Sequence, residues 1–416
     1  MAFVDYTKEI KEKEMTKRIL FLGAGVDQIP AIQYAKKQGY YVITCDYLPD
    51  NPGHKFSDEY HNVNTTDKEA VLELAQKLNI DGILGFGTDA NAPTQAYVGN
   101  ELVLPSNPYE SIITLTRKDL FRSFLKENDF FVPLSRSYLI YSDAVNDIDS
   151  FTFPLMIKPV DSSGSNGITK IETVDALKES FEYAQSFSRE KKVIIEEFFD
   201  FDGSIIDGDG FFLDGDLVFN CWGDTQRSEL VNPLVPIGTK FPATISAERR
   251  EYVNNEVQRM LTLLKMRNGP FNIEFGFDKD NRFLIFDFGP RNGGSAIPKI
   301  IQYATGVDMV KYTVESALGS PCSDLAMVNS KGFFSDYKLH ALEDGIFSHI
   351  SYSKQIRQNI IEELISVVPG DPVKKMKRAA DRIGMIYLKF NSHAEMEEKM
   401  NNMEKYLEVI VEKDRV

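Results

Sequence analysis

The chain contains 416 residues, 43% of them hydrophobic, and its 47 basic and 62 acidic residues give a net charge of −15. This length is typical of roughly two to four domains, and the apolar content excludes a largely disordered chain. The acidic balance argues against an open surface for nucleic acid or anionic membranes. No apolar run is long enough to span a bilayer and the charged N-terminus lacks a signal-peptide pattern, so we expect a cytoplasmic protein.

The cysteines and histidines give no sign of a zinc site. Cys45, Cys221 and Cys322 are far apart and odd in number, which argues against a disulfide framework and for a reducing compartment. The five histidines are dispersed, without the spacing of a metal-binding helix. We therefore expect the chemistry to depend on other side chains.

The first part of the chain has the pattern of an open α/β domain over residues 16–116, after a loose tail of residues 1–15. An apolar run from Arg18 ends in Gly23 and Gly25, which predicts a buried parallel strand and a tight turn. Strand-like runs at 41–46 and 82–86 alternate with helical patterns at 30–37 and after Asp67. Such alternation is typical of a parallel sheet covered by helices.

After the first domain, the alternation of strands and helices gives way to a different pattern. We assign residues 117–329 to a second domain, in which strands and glycine-rich turns over about 153–224 indicate a small lid subdomain. A helix at 247–265 and a hairpin at 271–289 complete this domain. Residues 330–416 form a predicted C-terminal α/β subdomain, with a strand at 385–390 and a closing helix from Ser392.

The glycines after the first strand allow a dinucleotide-binding interpretation. Asp46 lies about twenty residues downstream, where the acid that binds a ribose is expected. However, Gln28 occupies the position of the third glycine of the fingerprint, so a tight turn is the better interpretation.

A second glycine cluster follows a strand that ends at Lys158. The loop Asp161–Gly167 joins two strands and lacks a Walker motif. Small residues beside a lysine suit a mobile flap over phosphates, although an ordinary hairpin with a surface lysine is an equally good interpretation.

A third signal is the buried strand from Val193 that ends in Glu196 and Glu197. The backbone of such a strand end can bind the edge of a purine, with carboxylates near the ribose. Solvated charges at the end of a strand remain the alternative.

The hairpin at 271–289 is the strongest chemical signal. Alternation places Phe271, Ile273, Phe275 and Phe277, with Leu284, Phe286 and Phe288, on one face and leaves Glu274 and Asp287 together on the other. Adjacent like charges are destabilising unless a cation lies between them, and Mg²⁺ or Mn²⁺ prefers carboxylate and phosphate oxygens. Arg291 follows the return strand, where it can bind a phosphate or carboxylate or instead pair with the two acids.

Taken in order, these motifs resemble the ATP-grasp superfamily over roughly residues 16–320, most closely its branch of carboxylate–amine ligases and carbamoyl-phosphate-synthetase-like enzymes. The matching segments are LGAG, CDYLPDNPG, TRKD, FPLMIKP with SSGSNG, IIEEF, FNIEFGF and FDFGPRNGG. The resemblance implies a Rossmann-like domain, an ATP-grasp fold of two α+β subdomains and a C-terminal α/β cap.

The resemblance also implies a site. Glu274 and Asp287 would bind the metal ions, Lys158 and Arg291 would act in catalysis, and Arg291 would steady an acyl phosphate or the incoming acid. The ATP-binding residues that it implies are Lys118, Lys158, Ser162, Ser163, Gly164, Ser165, Gly167, Glu196, Glu197, Phe198 and Phe199. The implied cofactors are ATP and Mg²⁺ or Mn²⁺, the partners a small carboxylic acid and an amine, and a homodimer is possible. We expect phosphorylation of the acid, attack by the amine, and release of ADP and phosphate.

Two departures from the family pattern leave questions open. Gly289 stands where the family has an asparagine, so the second metal is in doubt. Either Asp202 or Asp207 is a candidate for the ribose. Trp222, Arg227 and Lys240 lie in a region that could face a substrate, with packing as the alternative for Trp222. Competing functions are activation of bicarbonate or carbamate, a nicotinamide oxidoreductase and a non-catalytic nucleotide-binding module.

Overall fold

The computed structural model describes residues 16–294 and 297–413, and the predicted tail at 1–15 lies outside this part. The described chain contains four β-sheets with helices packed against them. In this part of the chain no helix is both long and apolar enough to cross a membrane. All three cysteines are buried and free, as the sequence predicts.

The first sheet is parallel, as the alternating pattern predicts, with the strand order β3-β2-β1-β4. Its elements are β1 (Arg18–Leu22), α1 (Ile29–Lys37), β2 (Tyr41–Cys45), β3 (Glu59–His61), α2 (Lys68–Leu78), β4 (Gly82–Leu84), α3 (Ala92–Glu101) and α4 (Tyr109–Thr116). Asp67 caps α2, because its carboxylate accepts a hydrogen bond from the Ala70 N–H.

A small antiparallel sheet follows, with the order β5-β8-β6-β7. It is preceded by α5 (Lys118–Glu127) and consists of β5 (Ser135–Tyr138), α6 (Tyr141–Asp147), β6 (Leu155–Pro159), β7 (Thr169–Ile171), α7 (Leu177–Phe187) and β8 (Val193–Glu197). The bounds of this small sheet differ from those of the predicted lid at 153–224. The sheet begins at Ser135 and ends at Glu197, and the hairpin after it joins the next sheet because its aromatic side chains pack there.

The largest sheet has eight antiparallel strands in the order β13-β12-β9-β10-β11-β14-β18-β16. Its first part contains β9 (Ile206–Leu213), β10 (Asp216–Gln226), β11 (Gly238–Phe241), α8 (Ala247–Leu263), β12 (Gly269–Phe277), β13 (Phe283–Gly289), α9 (Ile297–Thr305) and α10 (Met309–Ala317). One face packs on α8 around Trp222 and Phe271, and the other packs on α9 around Phe211. The helix α10 also packs on the first sheet through Val314 and Ala317.

The C-terminal region extends this sheet and adds a three-stranded one, β17-β15-β19. Its elements are β14 (Phe333–Leu339), β15 (Gly345–Tyr352), α11 (Lys354–Arg357), β16 (Ile360–Ile365), β17 (Pro372–Val373), β18 (Gly384–Phe390), α12 (His393–Met400) and β19 (Leu407–Glu412). The predicted strand and the Ser392-capped helix are present, but the chain continues into β19. Because β14 lies between β11 and β18, this region is not a separate cap.

Candidate functional site

A cavity of about 730 Å³ is lined by residues of the first domain, the small sheet and the large sheet. Most of the side chains singled out in the sequence line it. They are Lys118, Lys158, Ser162, Ser163, Gly164, Ser165, Glu196, Glu197, Phe198, Phe199, Glu274, Asp287 and Arg291. Gly167 is the exception. It has a φ of 73° and packs against Phe187 outside the cavity.

Lys158 is held by a buried charge network. Its Nζ lies 2.5 Å from Glu196 Oε2, and Arg122 Nε donates to Glu196 Oε1 at 2.6 Å. Burial lowers the pKa of Lys158 against the opposing effect of Glu196. Burial disfavours the Glu196 carboxylate too, but Arg122 and Lys158 outweigh it and lower its pKa to about 2. Both oxygens of Glu196 are therefore used within the protein, and the carboxylate holds Lys158 in place.

Lys118 lies between the flap and the carboxylates of the hairpin. Its Nζ donates to the Ser162 carbonyl at 2.8 Å and lies 3.9 Å from Asp287 Oδ1. The flap itself turns through Gly164 and Ser165, both with positive φ, and Ser165 Oγ donates to the Leu234 carbonyl at 3.1 Å. The ammonium group has three N–H donors, so it can bind phosphate oxygens while it keeps the hydrogen bond to Ser162.

The strand end at Glu197 differs from the expected purine-binding edge. The Phe198 N–H already donates to the Pro154 carbonyl at 2.9 Å, and the Glu197 carboxylate accepts the Thr152 N–H at 2.8 Å. The aromatic wall beside this edge comes from Phe201 and Phe286, whose ring centroids are 5.7 Å apart. Stacking on these rings can therefore bind a base in addition to hydrogen bonds.

The acids of the hairpin are paired as predicted, but one aromatic is not where the pattern places it. Glu274 lies directly opposite Asp287, and the register then shifts so that Phe275 pairs with Ile285. This β-bulge turns Phe286 out of the core and into the cavity, while Ile285 takes its place in the core. Strict alternation does not anticipate an inserted residue.

A third acid joins the pair from the neighbouring strand. Asp207 on β9 is the register partner of Glu274, so Asp207, Glu274 and Asp287 form a row across three strands. Burial and the Asp207 charge raise the pKa of Glu274 to about 7, and burial raises that of Asp207 to about 6. Crowded carboxylates that hold protons near neutral pH release them when a cation binds.

These donors fit a divalent ion that also contacts a substrate. Among the described residues no cluster of three or more His, Cys, Asp or Glu side chains is compact enough to hold a metal by itself. Magnesium commonly binds one or two protein carboxylates and completes its shell with phosphates and water. Glu274 and Asp287 supply such a partial set.

Arg291 is bound to the first domain. Its Nη2 lies 2.5 Å from Asp89 Oδ2, and its Nε is buried with no partner among the described residues. Burial alone would lower the pKa of Arg291, but Asp89 raises it above its ordinary value. A Cβ at Gly289 would lie 2.6 Å from Arg291 Cζ and 2.8 Å from Asp89 Oδ1. The ion pair therefore fills the space that the family's asparagine side chain would need.

The remaining candidates fall into two groups, those that line the cavity and those that lie outside it. Asp207 lines the cavity, whereas Asp202 lies 3.7 Å from Arg249 outside it. Arg227 lines the cavity, but Trp222 is in the core and Lys240 pairs with Glu397.

The contacts of Asp46 and Gln28 support the tight turn that the sequence favours over a dinucleotide site. Asp46 Oδ2 accepts the Ala24 N–H and the Asn51 side chain, and Oδ1 accepts the Leu48 N–H. The carboxylate thus stabilises its own turn. Gln28, in the third-glycine position, is buried and donates to the Phe86 carbonyl.

Sequence reasoning missed several residues that line the cavity: Asp27, Asp89, Arg122, Phe201, Asp336, Lys338 and Arg382. A signal was available for Asp336 and Lys338, because these two charges alternate with Tyr337 and Leu339 along a short strand. Arg122 lies on a helix whose pattern resembles any amphipathic helix, so its sequence position gave no indication.

Comparison with known proteins identifies the class. Residues 151–299 match the family model of the ATP-grasp domain. A formate-dependent phosphoribosylglycinamide formyltransferase from Erythrobacter litoralis is 31% identical over 288 residues, 66% of this chain and 71% of the relative. The chain therefore belongs to the ATP-grasp superfamily, as its motifs indicated.

Other similarities are shorter or structural. A formate-dependent phosphoribosylglycinamide formyltransferase from Prochlorococcus marinus is 28% identical over 190 residues. The matched part is 45% of this chain and 49% of the relative, so the chain spans about half of that protein's length. The crystal structure of an L-amino acid ligase from Bacillus licheniformis has a TM-score of 0.78 at 18% identity, covering 96% of this chain and 99% of that one. At this identity the structural likeness shows the fold alone.

Proposed function

We propose that the protein is an ATP- and Mg²⁺-dependent ligase that phosphorylates a small carboxylic acid and joins it to an amine, releasing ADP and phosphate. The observation that carries this proposal is one cavity in which Lys118 and Lys158 face the acid pair Glu274 and Asp287. Phosphoryl transfer chiefly needs positioning and neutralisation of charge, which these groups supply.

Each part of the cavity has a role in this proposal. Phe201 and Phe286 stack against adenine, and the Phe199 N–H, which has no partner among the described residues, donates to the base edge. Lys158, held by Glu196, binds the phosphates under the flap. Glu274 and Asp287 hold Mg²⁺, which neutralises phosphate charge when bound. Arg291 presents its unpartnered Nε to the acid or its acyl phosphate. The amine is bound beyond it, and we expect a small-molecule enzyme of the cytoplasm.

The first test is thermal unfolding with Mg²⁺-ATP, with ATP plus chelator, and with NAD. A ligand at 100 times its dissociation constant stabilises the folded state by about 2.7 kcal/mol. We expect stabilisation by Mg²⁺-ATP, less with chelator and none with NAD. Stabilisation by NAD alone would contradict the proposal.

The second test is ADP release across a panel of acids and amines. Lys158→Ala and Asp287→Asn should abolish it without unfolding the protein, because Glu196 keeps Arg122 as a partner and Asn preserves the shape of Asp287. Full turnover by either variant would contradict the site assignment. ADP release that depends on bicarbonate alone would instead favour a bicarbonate-activating enzyme.

A further inference from the structure

The cavity continues past Arg291 into a region that the nucleotide does not need. We call this region the substrate half and define it by Asp27, Arg227, Asp336, Lys338 and Arg382, all of which line the cavity. It is formed by the first domain, the segment after β10, β14 and the chain before β18.

In the described chain, two opposite charges of the substrate half lie on β14 without an ion-pair partner within 4.0 Å, and of the two Asp336 is buried and Lys338 is half-buried. Asp336 is 1% exposed, and its Oδ1 accepts the Thr239 N–H at 3.1 Å. Lys338 Nζ donates to the Pro236 carbonyl at 2.9 Å. Within the described residues neither side chain lies within 4.0 Å of an opposite charge, although they are two positions apart on one strand face. The two charges compensate each other only at a distance. A ligand that carries one charge of each sign can contact both side chains and compensate them directly.

The other cations of this region are already neutralised. Arg382 Nη2 lies 3.1 Å from Asp27 Oδ1, Arg291 pairs with Asp89, and Arg227 Nη2 lies 3.8 Å from Glu274 Oε2. Among the described residues of the substrate half, Lys338 is therefore the cation without an acid within 4.0 Å, and Asp336 is the acid without a cation within that distance. A phosphomonoester carries about −1.5 to −2 charges and usually needs a cluster of cations.

We propose that the substrate half binds an α-amino acid as a zwitterion, with its carboxylate on Lys338 and its ammonium group on Asp336. The buried Arg227 Nε, which has no partner, is a second donor to the same carboxylate. This inference rests on the proposed function, because it names the class of one of the two substrates of that ligase.

The test measures binding by thermal unfolding in the presence of Mg²⁺-ADP. The proteinogenic L-amino acids are added one at a time, and each active one is compared with its decarboxylated amine, its N-acetyl derivative and phosphoethanolamine. We expect at least one amino acid to raise the unfolding midpoint and its three analogues to have no effect. The decarboxylated amine lacks the negative charge, the N-acetyl derivative lacks the positive charge, and phosphoethanolamine carries more negative charge than a carboxylate.

Variants then test the two side chains. Lys338→Met and Asp336→Asn should each weaken amino-acid binding about thirtyfold, the equivalent of about 2 kcal/mol, while Mg²⁺-ADP still stabilises both variants. Lys311→Met, which removes a surface lysine paired with Asp324, is the matched control and should bind as the original protein does. Retained Mg²⁺-ADP stabilisation shows that each variant is folded.

Three results would overturn the inference: no amino acid in the panel has an effect, phosphoethanolamine or a decarboxylated amine acts equally well, or Lys338→Met binds the amino acid unchanged. Failure of the proposed function is seen separately. If Mg²⁺-ADP has no effect but an amino acid does, the zwitterion site stands and the ATP-dependent ligase is contradicted.

Discussion

At the scale of single residues, the site depends on charges that are costly to bury. Glu196 is ionised because two cations contact it, whereas burial and the neighbouring Asp207 raise the pKa of Glu274 to about 7. The same residue type therefore has two different tasks. One positions a lysine, and the other is ready to exchange a proton for a metal ion.

This difference predicts how stability varies with pH. The pKa of Glu274 is about 7 in the folded state and 4.5 when unperturbed. The folded state thus binds more protons between these values, and stability without ligand should fall as pH rises from about 4.5 to 7. Bound Mg²⁺-ATP should reverse the trend, since the carboxylate is then ionised.

The measurement is thermal unfolding across this pH range with and without Mg²⁺-ATP. Glu274→Gln removes the titrating group and should flatten the ligand-free profile. An identical slope in this variant would show that Asp207, Asp209 and Asp336, whose pKa values are also raised to about 6, account for the effect.

At the scale of elements, α5 ties the small sheet to the large one. Arg122 donates from Nε to Glu196 on β8 and from Nη2 to the Phe286 carbonyl on β13 at 2.8 Å. The β-bulge beside Asp287 and the support of Lys158 are thus fixed by one side chain. The sequence periodicity predicts α5, β8 and β13, but it gives no information on these two contacts. Arg122 is separated from Glu196 by 74 positions and from Phe286 by 164 positions.

We expect Arg122→Met to destabilise the protein by about 3 kcal/mol, since it removes one partner of a buried ion pair. Arg136→Met is the matched control. It removes an ion pair with Asp147 in which the arginine side chain is 43% exposed, and it should cost less than about 1 kcal/mol. Urea unfolding of both variants provides the comparison, and equal losses would contradict a special role for Arg122.

At the scale of the whole molecule, the sequence predicted the kinds of elements better than their partners. The parallel first sheet and the hairpin acids follow from local patterns. The eight-stranded sheet does not, because β14 enters between β11 and β18, far from its neighbours in sequence. For the same reason Asp336 and Lys338 escaped notice, and so did the role of Asp89, which is 202 positions from Arg291.

Two ion pairs join the first domain to the cavity, Asp89–Arg291 and Asp27–Arg382. We expect Asp27→Asn and Asp89→Asn to cost about 1 to 2 kcal/mol each, between the values for exposed and buried pairs, and to be additive because they share no partner. Unfolding should remain a single transition, since α10 still packs on the first sheet. Calorimetry that resolves two transitions in the double variant would contradict this.

The strand order of the large sheet also has a consequence for synthesis on the ribosome. The first domain, Lys118 and Lys158 emerge early, but the strand that carries Asp336 and Lys338 is flanked by β18, which ends at Phe390. At about 5–20 residues per second, the roughly 230 residues from Lys158 to the end of β18 take about ten to fifty seconds to translate. During that time the nascent chain exposes the open edge of an incomplete sheet, and the substrate half forms only after β14 and β18 have been made.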